Sequence, residues 1–123
     1  MPQVEVLFYR DDDGSAPLID WLGSLEDEAR DRCVALRSLL EEHGHELRRP
    51  YAENLGGGLY ELRVKYFRVN YRMLDFFHGR DAAVVSHGFS KERRIPPGEI
   101  TLALERMRRL SKNPAATRSQ YEA

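Results

Sequence analysis

The middle of the chain limits the possible folds most, because apolar and polar side chains alternate along it. Alternation over residues 60–64 and again over residues 67–73 is typical of strands with one buried face. A third apolar run, residues 82–89, follows a turn that contains Gly79. An irregular order of side chains at residues 86–88 indicates a β-bulge in that run. The pattern predicts three consecutive strands, of which the first two form a hairpin, and it leaves the register of the third open.

The first two of these strands have a pairing that separates their side chains by polarity. With residues 65–66 as a two-residue loop, Leu62 lies opposite Val69 on an apolar face, and Arg63 lies opposite Arg68 on a polar face. Like charges in opposite positions destabilise a sheet unless an anion lies between them. We therefore expect a phosphate site at Arg63 and Arg68. Replacing either arginine should leave the stability of the fold unchanged or slightly raised.

Another strand and two helices precede this region. Residues 4–10 alternate like a strand. Ser15 and Pro17 indicate the start of a short helix. Ser24, with Asp27 three residues later, resembles a capping box that begins a longer helix. The apolar stripe of this longer helix consists of Ala29, Cys33, Leu36 and Leu40, and the helix is predicted to end at Gly44.

The sequence predicts one α+β domain over residues 1–112, followed by a mobile tail over residues 113–123. Residues 50–58 are expected to be a linker into the sheet. The run Pro96-Pro97-Gly98-Glu99 should start a final helix. Its apolar stripe consists of Ile100, Ala103, Leu104, Met107 and Leu110. Basic residues near its C-terminus complement the helix dipole.

Composition excludes several classes of protein. The chain has 123 residues, of which 41% are hydrophobic, and contains no apolar run of the roughly 20 residues that a membrane span requires. The N-terminus lacks the features of a secretory signal, so we expect a cytoplasmic protein. Cys33 is the only cysteine, which rules out an internal disulfide.

The charges are divided unevenly along the chain. Residues 1–46 hold 12 acidic and 4 basic side chains, whereas residues 47–123 hold 8 acidic and 15 basic ones. Such a division favours either a basic face that binds a polyanion or two solvated surfaces of opposite charge. The acidic turn at residues 11–13 and the histidines at positions 43 and 45 do not form a recognisable metal motif. We expect neither a metal nor a cofactor.

Several short motifs in the predicted sheet carry a resemblance to a known family. They are Gly-Leu-Tyr-Glu-Leu-Arg at residues 58–63, Phe67-Arg68-Val69 with Tyr71, and His87-Gly88-Phe89-Ser90-Lys91 followed by Pro97. The chain resembles the phage-derived, HigB-like branch of the RelE/ParE toxin superfamily. The resemblance implies a RelE-like fold, in which a small, mostly antiparallel sheet packs against N-terminal helices and a C-terminal helix. Glu92 stands where that family usually has a basic residue.

The resemblance implies the toxin of a type II toxin-antitoxin system, which cuts mRNA on the ribosome and is neutralised by a small helix-turn-helix antitoxin. Metal-free RNA cleavage needs a base, an acid and cations that stabilise the phosphate. The candidate catalytic residues are Arg63, Arg68, Lys91 and His87. The candidate RNA-binding residues are Lys65, Tyr66, Arg72, Arg93 and Arg94. Tyr66, Tyr71 and Glu61 are further candidates for proton transfer.

Other interpretations remain open for the arginines and for the function. Arg63 and Arg68 could instead be an exposed pair that Glu61 and water screen. A protein of this fold could bind nucleic acid or a partner without cutting, which the near-neutral net charge of −1 and Glu92 favour. It could also inhibit gyrase, as ParE-type toxins do.

Overall fold

A computed structural model of the protein describes residues 4–90, 95–114 and 118–120, and within these residues six strands form one sheet. The strands are β1 (Glu5–Tyr9), β2 (Ala52–Gly56), β3 (Leu59–Tyr66), β4 (Val69–His78), β5 (Ala82–Ser90) and β6 (Arg118–Gln120). The α-helices are α1 (Pro17–Gly23), α2 (Asp27–His43) and α3 (Pro97–Lys112). The sheet order is β2-β3-β4-β5-β1-β6, with β1 and β5 parallel and the other neighbours antiparallel. The predicted α+β class is therefore confirmed.

The sheet is covered on both faces, because residues that alternate along its strands enter two separate apolar clusters. One cluster joins α1 and α2 to the sheet, and the other joins α3 to the opposite side. Along β5, Ala83 and Val85 belong to the first cluster, whereas Ala82 and Val84 belong to the second. All four side chains are buried, as is typical of strands covered on both sides. We call these sides the α2 face and the α3 face.

The predicted apolar stripes of the helices pack against these faces. Ala29, Cys33, Leu36 and Leu40 are all buried in α2, and that helix ends at Gly44 as predicted. In α3, Ala103 and Leu110 are fully buried, whereas 41% of Leu104 is exposed. None of the described helices has the length and apolar character that a bilayer crossing requires.

The β3–β4 hairpin turns two residues later than predicted. Its turn consists of Phe67 and Arg68, and Tyr66 lies opposite Val69. The predicted loop at residues 65–66 is therefore wrong. Both alternatives use a two-residue turn, so loop length could not decide between them.

The later turn changes every cross-strand pair without changing the face of any side chain. Leu62 pairs with Met73 and Arg63 pairs with Arg72, so each β3 residue meets a residue four positions further along the chain than predicted. A shift by an even number preserves the side-chain period of two, which is why alternation could not distinguish the two registers. The predicted opposition of Arg63 and Arg68 is wrong.

Three further features differ from expectation. β2 lies within residues 50–58, which were predicted to be a linker; only one of its five residues is buried, so it lacks a strong alternation pattern. Ser24 Oγ donates a hydrogen bond to the carbonyl of Trp21 (2.6 Å), so this serine closes α1 instead of beginning α2. β6 pairs with β1 within residues 113–123, for which the sequence predicted no structure.

The predicted bulge in β5 is confirmed. Leu74 pairs with His87 and Asp75 pairs with Val85, which leaves Ser86 as the extra residue. Beside the bulge, the indole of Trp21 lies directly on the backbone of Gly88, and a Cβ at this position would overlap the ring. The absence of a side chain at residue 88 therefore allows α1 to approach β5.

Replacing Gly88 with Ala should destabilise the protein, because the new methyl group displaces the Trp21 ring. We expect a loss of about 1–3 kcal/mol in the free energy of unfolding, as for other overpacked sites. Gly98→Ala is the matched control, because nothing lies within 4 Å of a Cβ there and the residue is helical. It should be neutral or slightly stabilising. Urea unfolding followed by the fluorescence of the single tryptophan measures both, and equal midpoints for the two variants would contradict this packing argument.

Candidate nucleic-acid interface

Two arginines of the β3–β4 hairpin share one buried carboxylate on the α3 face. Arg63 lies directly opposite Arg72. Oε1 of Glu61 accepts hydrogen bonds from Nε (2.8 Å) and Nη2 (2.6 Å) of Arg63, and Oε2 accepts one from Nη1 of Arg72 (2.6 Å). The Glu61 side chain has no exposed surface, whereas 34% of the Arg63 side chain is exposed. The protein itself thus supplies the anion that we expected a substrate phosphate to supply.

This arrangement reverses the expectation about stability. A buried carboxylate is strongly unfavourable unless charged partners offset its lost hydration. Removing Arg63 would leave Glu61 buried with Arg72 alone, so the variant should be less stable than the native protein. The expectation of unchanged or raised stability assumed that Arg63 and Arg68 repel each other across the sheet, and Arg68 is in the turn.

The ion pairs continue from Arg63 to the edge of the sheet. Nη2 of Arg63 is 2.7 Å from Oε2 of Glu53, and Arg49 forms a second ion pair with Glu53. The hydrogen bond from Arg49 lowers the pKa of Glu53, and the hydrogen bonds to Glu61 raise the pKa of Arg63. Among the described residues, three arginines and two glutamates give this network one net positive charge. Nη1 of Arg63 makes no hydrogen bond to any described residue, so it is able to contact an external anion.

His87 lies on the same face, as a diagonal neighbour of Arg72 about 7–8 Å away. Its side chain is buried, Nδ1 is 2.8 Å from Oγ of Ser86, and Nε2 has no hydrogen-bond partner among the described residues. Burial, with a smaller contribution from Arg106, lowers the pKa of His87 to about 4. The imidazole is therefore neutral at pH 7, and its Nε2 contact with Glu99 at 3.5 Å is not an ion pair. A neutral imidazole can accept a proton but cannot act as the acid for a leaving group.

The other predicted site residues do not all join this cluster. Lys65 lies on the α3 face with Arg63, two positions along β3, and Arg68 is exposed in the turn. Tyr66 lies on the α2 face, where the guanidinium of Arg32 is 4.9 Å from its ring. Tyr71 is also on that face, 6.3 Å from the ring of Trp21. Lys91, Arg93 and Arg94 lie outside the described residues.

Arg106 supports the bulge beside His87 and was not among the predicted site residues. Its side chain is largely buried, and Nη1 donates a hydrogen bond to the carbonyl of Ser86 (3.3 Å). Nη2 is 3.5 Å from Oδ2 of Asp11, which belongs to the acidic turn after β1. The sequence did contain a signal for Arg106. This residue follows Ala103 by three positions, so a basic side chain falls on the apolar stripe of α3. Arg106 therefore connects the acidic first part of the chain to the candidate site.

Asp75 is a second buried carboxyl group, on the α2 face, that sequence reasoning did not select. Only 1% of the residue is exposed, and neither carboxyl oxygen has a hydrogen bond to a described residue. It lines a small cavity together with His45, Tyr60 and Phe77. Burial raises the pKa of Asp75 to about 7. A single acidic residue inside the apolar run of residues 73–77 was the available signal.

The described residues include no group of three or more His, Cys, Asp or Glu side chains that could hold a metal ion. Asp11 instead forms ion pairs with Arg106 and Arg109. What the cluster on the α3 face can do is bind an anion through fixed guanidinium groups. Arginine suits this role because its planar fork matches a phosphate and it stays charged.

Replacing Glu61 with Gln should destabilise the fold strongly, because the buried Arg72 and the partly buried Arg63 would lose their shared counterion. We expect a loss of about 3–5 kcal/mol in the free energy of unfolding. Glu105→Gln is the matched control: Glu105 also pairs with an arginine (3.2 Å from Arg109), but both side chains are more than 40% exposed. Exposed pairs contribute about 0–1 kcal/mol. Denaturant unfolding of both variants is the measurement, and a Glu61→Gln loss no larger than the control would disprove the bridging role.

Asp75 should make stability depend on pH. The unfolded chain releases this proton near its ordinary value of 3.8, whereas the folded protein holds it up to about pH 7. The native protein should therefore lose stability relative to Asp75→Asn as the pH rises from about 4 to about 7, by a few kcal/mol in total, with no further change above that range. Urea midpoints of both proteins across this range test the effect. Asp81→Asn is the control, because Asp81 is exposed. If the difference in stability between the native protein and Asp75→Asn does not depend on pH, the pKa of Asp75 is not raised.

Comparison with protein families assigns most of the chain to one family. The model of the family described as phage derived protein Gp49-like (DUF891) matches residues 20–108, which include the last part of α1, all elements from α2 to β5 and most of α3. A search of curated proteins finds no significant match. Because the family match covers far more than half of the chain, this protein belongs to the phage-derived Gp49-like family, whose members are RelE-like and toxin-like.

Proposed function

We propose that this protein is the toxin of a type II toxin-antitoxin system and that it cleaves mRNA on the ribosome, as the HigB-like branch of its superfamily does. The observation that carries the proposal is the pair of guanidinium groups on the α3 face, Arg63 and Arg72, which Glu61 holds in place. Membership of a toxin-like family supports the same function.

The site suits stabilisation of a phosphate whose negative charge increases during cleavage. Attack of the ribose 2′-hydroxyl on the neighbouring phosphate places extra charge on the non-bridging oxygens. Arg63 is half exposed, keeps free donors and has its orientation fixed by Glu61, so it needs little reorganisation to bind those oxygens. Lys65 adds a cation further along the same strand and face.

Proton transfer in the proposed reaction involves His87. In this proposal His87 is neutral and accepts the proton of the 2′-hydroxyl through Nε2, which makes no hydrogen bond to a described residue. Because Nε2 is buried 3.5 Å from Oε1 of Glu99, the Glu99 side chain has to move aside before the hydroxyl reaches it. The ribosome contributes by orienting the mRNA, which alone accounts for a large part of the rate in reactions of this kind. Lys91, Arg93 and Arg94 follow β5 in the sequence and are the proposed additional cations, with Lys91 closest in sequence to His87.

The proposed partners follow from the same function. A small helix-turn-helix antitoxin would neutralise the protein, and the ribosome with its mRNA would be the target in the cytoplasm. Neither a metal nor a cofactor takes part in the proposed reaction.

Binding without cleavage is the second candidate, and one observation favours it. Glu61 and Glu53 already occupy several donors of Arg63, which reduces the charge available to a phosphate. A protein with this site could hold RNA or a partner firmly while accelerating no reaction.

Arg63→Gln should reduce cleavage of ribosome-bound mRNA by about 100-fold or more, the usual effect of removing one fixed donor to a developing charge. Arg80→Gln is the matched control, because Arg80 is exposed in the β4–β5 turn and its loss changes the net charge equally. Cleavage should be measured in a reconstituted translation system, below the unfolding temperature of each variant. Native-rate cleavage by folded Arg63→Gln would reject the catalytic assignment. Native protein that binds but never cuts RNA would establish the second candidate.

A further inference from the structure

The tip of the β3–β4 hairpin exposes a large aromatic ring to solvent. Phe67 is 81% exposed, whereas the other exposed large apolar side chains among the described residues, Ile19, Tyr51 and Leu104, are at most 44% exposed. Single half-exposed apolar residues are ordinary on a protein surface. The ring of Phe67 differs from them because no described part of the fold covers it.

The backbone at Phe67 is also unfavourable for this residue type. Its φ is 56°, which makes it the one positive-φ residue other than glycine among the described residues. It is the first central residue of a two-residue hairpin turn, a position that favours glycine when φ is positive. A phenylalanine therefore remains at a position where both the solvent and the backbone disfavour it. Its ring contributes little to packing that would compensate.

The neighbours of Phe67 combine aromatic and basic groups. The ring of Tyr66 is 4.5 Å from that of Phe67 and is tilted by 54°. Lys65 and Arg68 flank the pair, both are exposed, and neither forms an ion pair with a described residue. The carboxylates of Glu26 and Glu28 are both close to Tyr66, and Arg32 pairs with Glu28 at 3.4 Å. Lys65 and Arg68 together exceed the remaining charge of Glu26, which leaves one net positive charge at the tip.

We propose that the hairpin tip, defined as Lys65, Tyr66, Phe67 and Arg68, is a binding site for single-stranded RNA, in which a nucleobase stacks on Phe67 and the adjoining phosphates contact Lys65 and Arg68. Exposed aromatic rings between unpaired cations are the chemistry that holds single-stranded nucleic acid without base-specific hydrogen bonds. The inference rests on the proposed function, for which it supplies a substrate-holding subsite.

The position of the tip relative to the arginine pair supports this ligand over a protein partner. Lys65 and Arg63 share the α3 face and are two residues apart, about 7 Å along the strand. Basic groups therefore continue from the candidate cleavage site to the tip, as an extended phosphate chain requires. A protein partner would explain the exposed ring but not this line of cations.

Phe67→Gly separates RNA binding from folding, because glycine suits the positive φ and should keep or raise the unfolding midpoint. The probe is a fluorescein-labelled, mixed-sequence single-stranded RNA of twelve nucleotides without ribosomes, followed by anisotropy. Phe67→Gly should bind it about 5- to 100-fold more weakly, the usual effect of losing one stacked base. Phe67→Trp should bind as tightly as the native protein or more tightly.

Two kinds of variant serve as controls: those that remove a cation of the tip, and one that removes an apolar side chain far from the tip. Lys65→Ala and Arg68→Ala should each reduce the slope of log affinity against log salt by about one. Leu104→Ala removes an exposed apolar side chain near Gly57, beside the turn that begins β3 and at the opposite end of this strand from the tip, and should leave RNA affinity unchanged.

The outcomes distinguish this inference from the proposed function. Native affinity in folded Phe67→Gly, or no measurable RNA binding by the native protein, overturns the stacking site. If the native protein and Phe67→Gly cleave ribosome-bound mRNA with equal KM, the stacking site is rejected and the proposed function stands. If RNA binding depends on Phe67 but no cleavage occurs, the stacking site stands and the nuclease proposal fails.

Discussion

Burial of the Glu61 carboxylate between two arginines is the interaction on which the hairpin depends. A carboxylate without exposed surface is tolerable only when charged donors surround it, and Arg63 and Arg72 supply three hydrogen bonds from two adjacent strands. In the register that turns at residues 65–66, Glu61 would lie opposite Asn70 and Arg63 opposite Arg68. The observed register instead places Arg72 opposite Arg63, so both guanidinium groups reach the same carboxylate. Electrostatics thus selects between two pairings that hydrophobic alternation leaves equivalent.

Buried polar groups are stabilised in different ways on the two faces of the sheet. On the α3 face, Glu61 is paired with arginines, and Arg106 donates a hydrogen bond to the carbonyl of the bulge residue Ser86. On the α2 face, Asp75 has no hydrogen-bond partner among the described residues, and burial raises the pKa of Asp75 instead. Burying a carboxylate is unfavourable on both faces. On the α3 face Glu61 is stabilised by arginines, whereas on the α2 face Asp75 retains its proton. On the paired face Glu61 fixes the orientation of Arg63 while part of that side chain reaches solvent, which is why this face is the candidate interface.

The acidic first part of the chain and the basic second part also meet within the fold. Asp11 contacts Arg106 and Arg109, and the arginines of α2 pair with acidic residues of the same helix. Among the described residues, Asp11 is thus the acidic group of the first part that pairs with the basic second part, whereas the ion pairs within α2 leave the charge asymmetry unchanged. Among the described residues, exposed cations without an ion pair lie at the hairpin turn (Lys65 and Arg68) and also elsewhere on the surface (for example Arg10, Arg80, Arg108 and Lys112). The hairpin differs from these other positions because its cations adjoin an exposed aromatic ring and share a strand with Arg63.

The sequence by itself determined the class of the fold, the buried stripe of α2, the bulge in β5 and the face on which each hairpin side chain lies. These depend on local periodicity and on turn residues, which a single chain displays directly. The sequence did not determine the register of the hairpin, because a shift by an even number of residues keeps polar and apolar side chains on the same faces. It did not reveal β2, whose alternation pattern is weak. It also did not reveal that Ser24 bonds to the end of α1. The sequence singled out Arg63, but only the tertiary structure decided that Arg72 lies opposite it and that Glu61 binds both. Pair identity depends on contacts between residues distant along the chain, and the energy of burying a charge is defined only once those contacts exist.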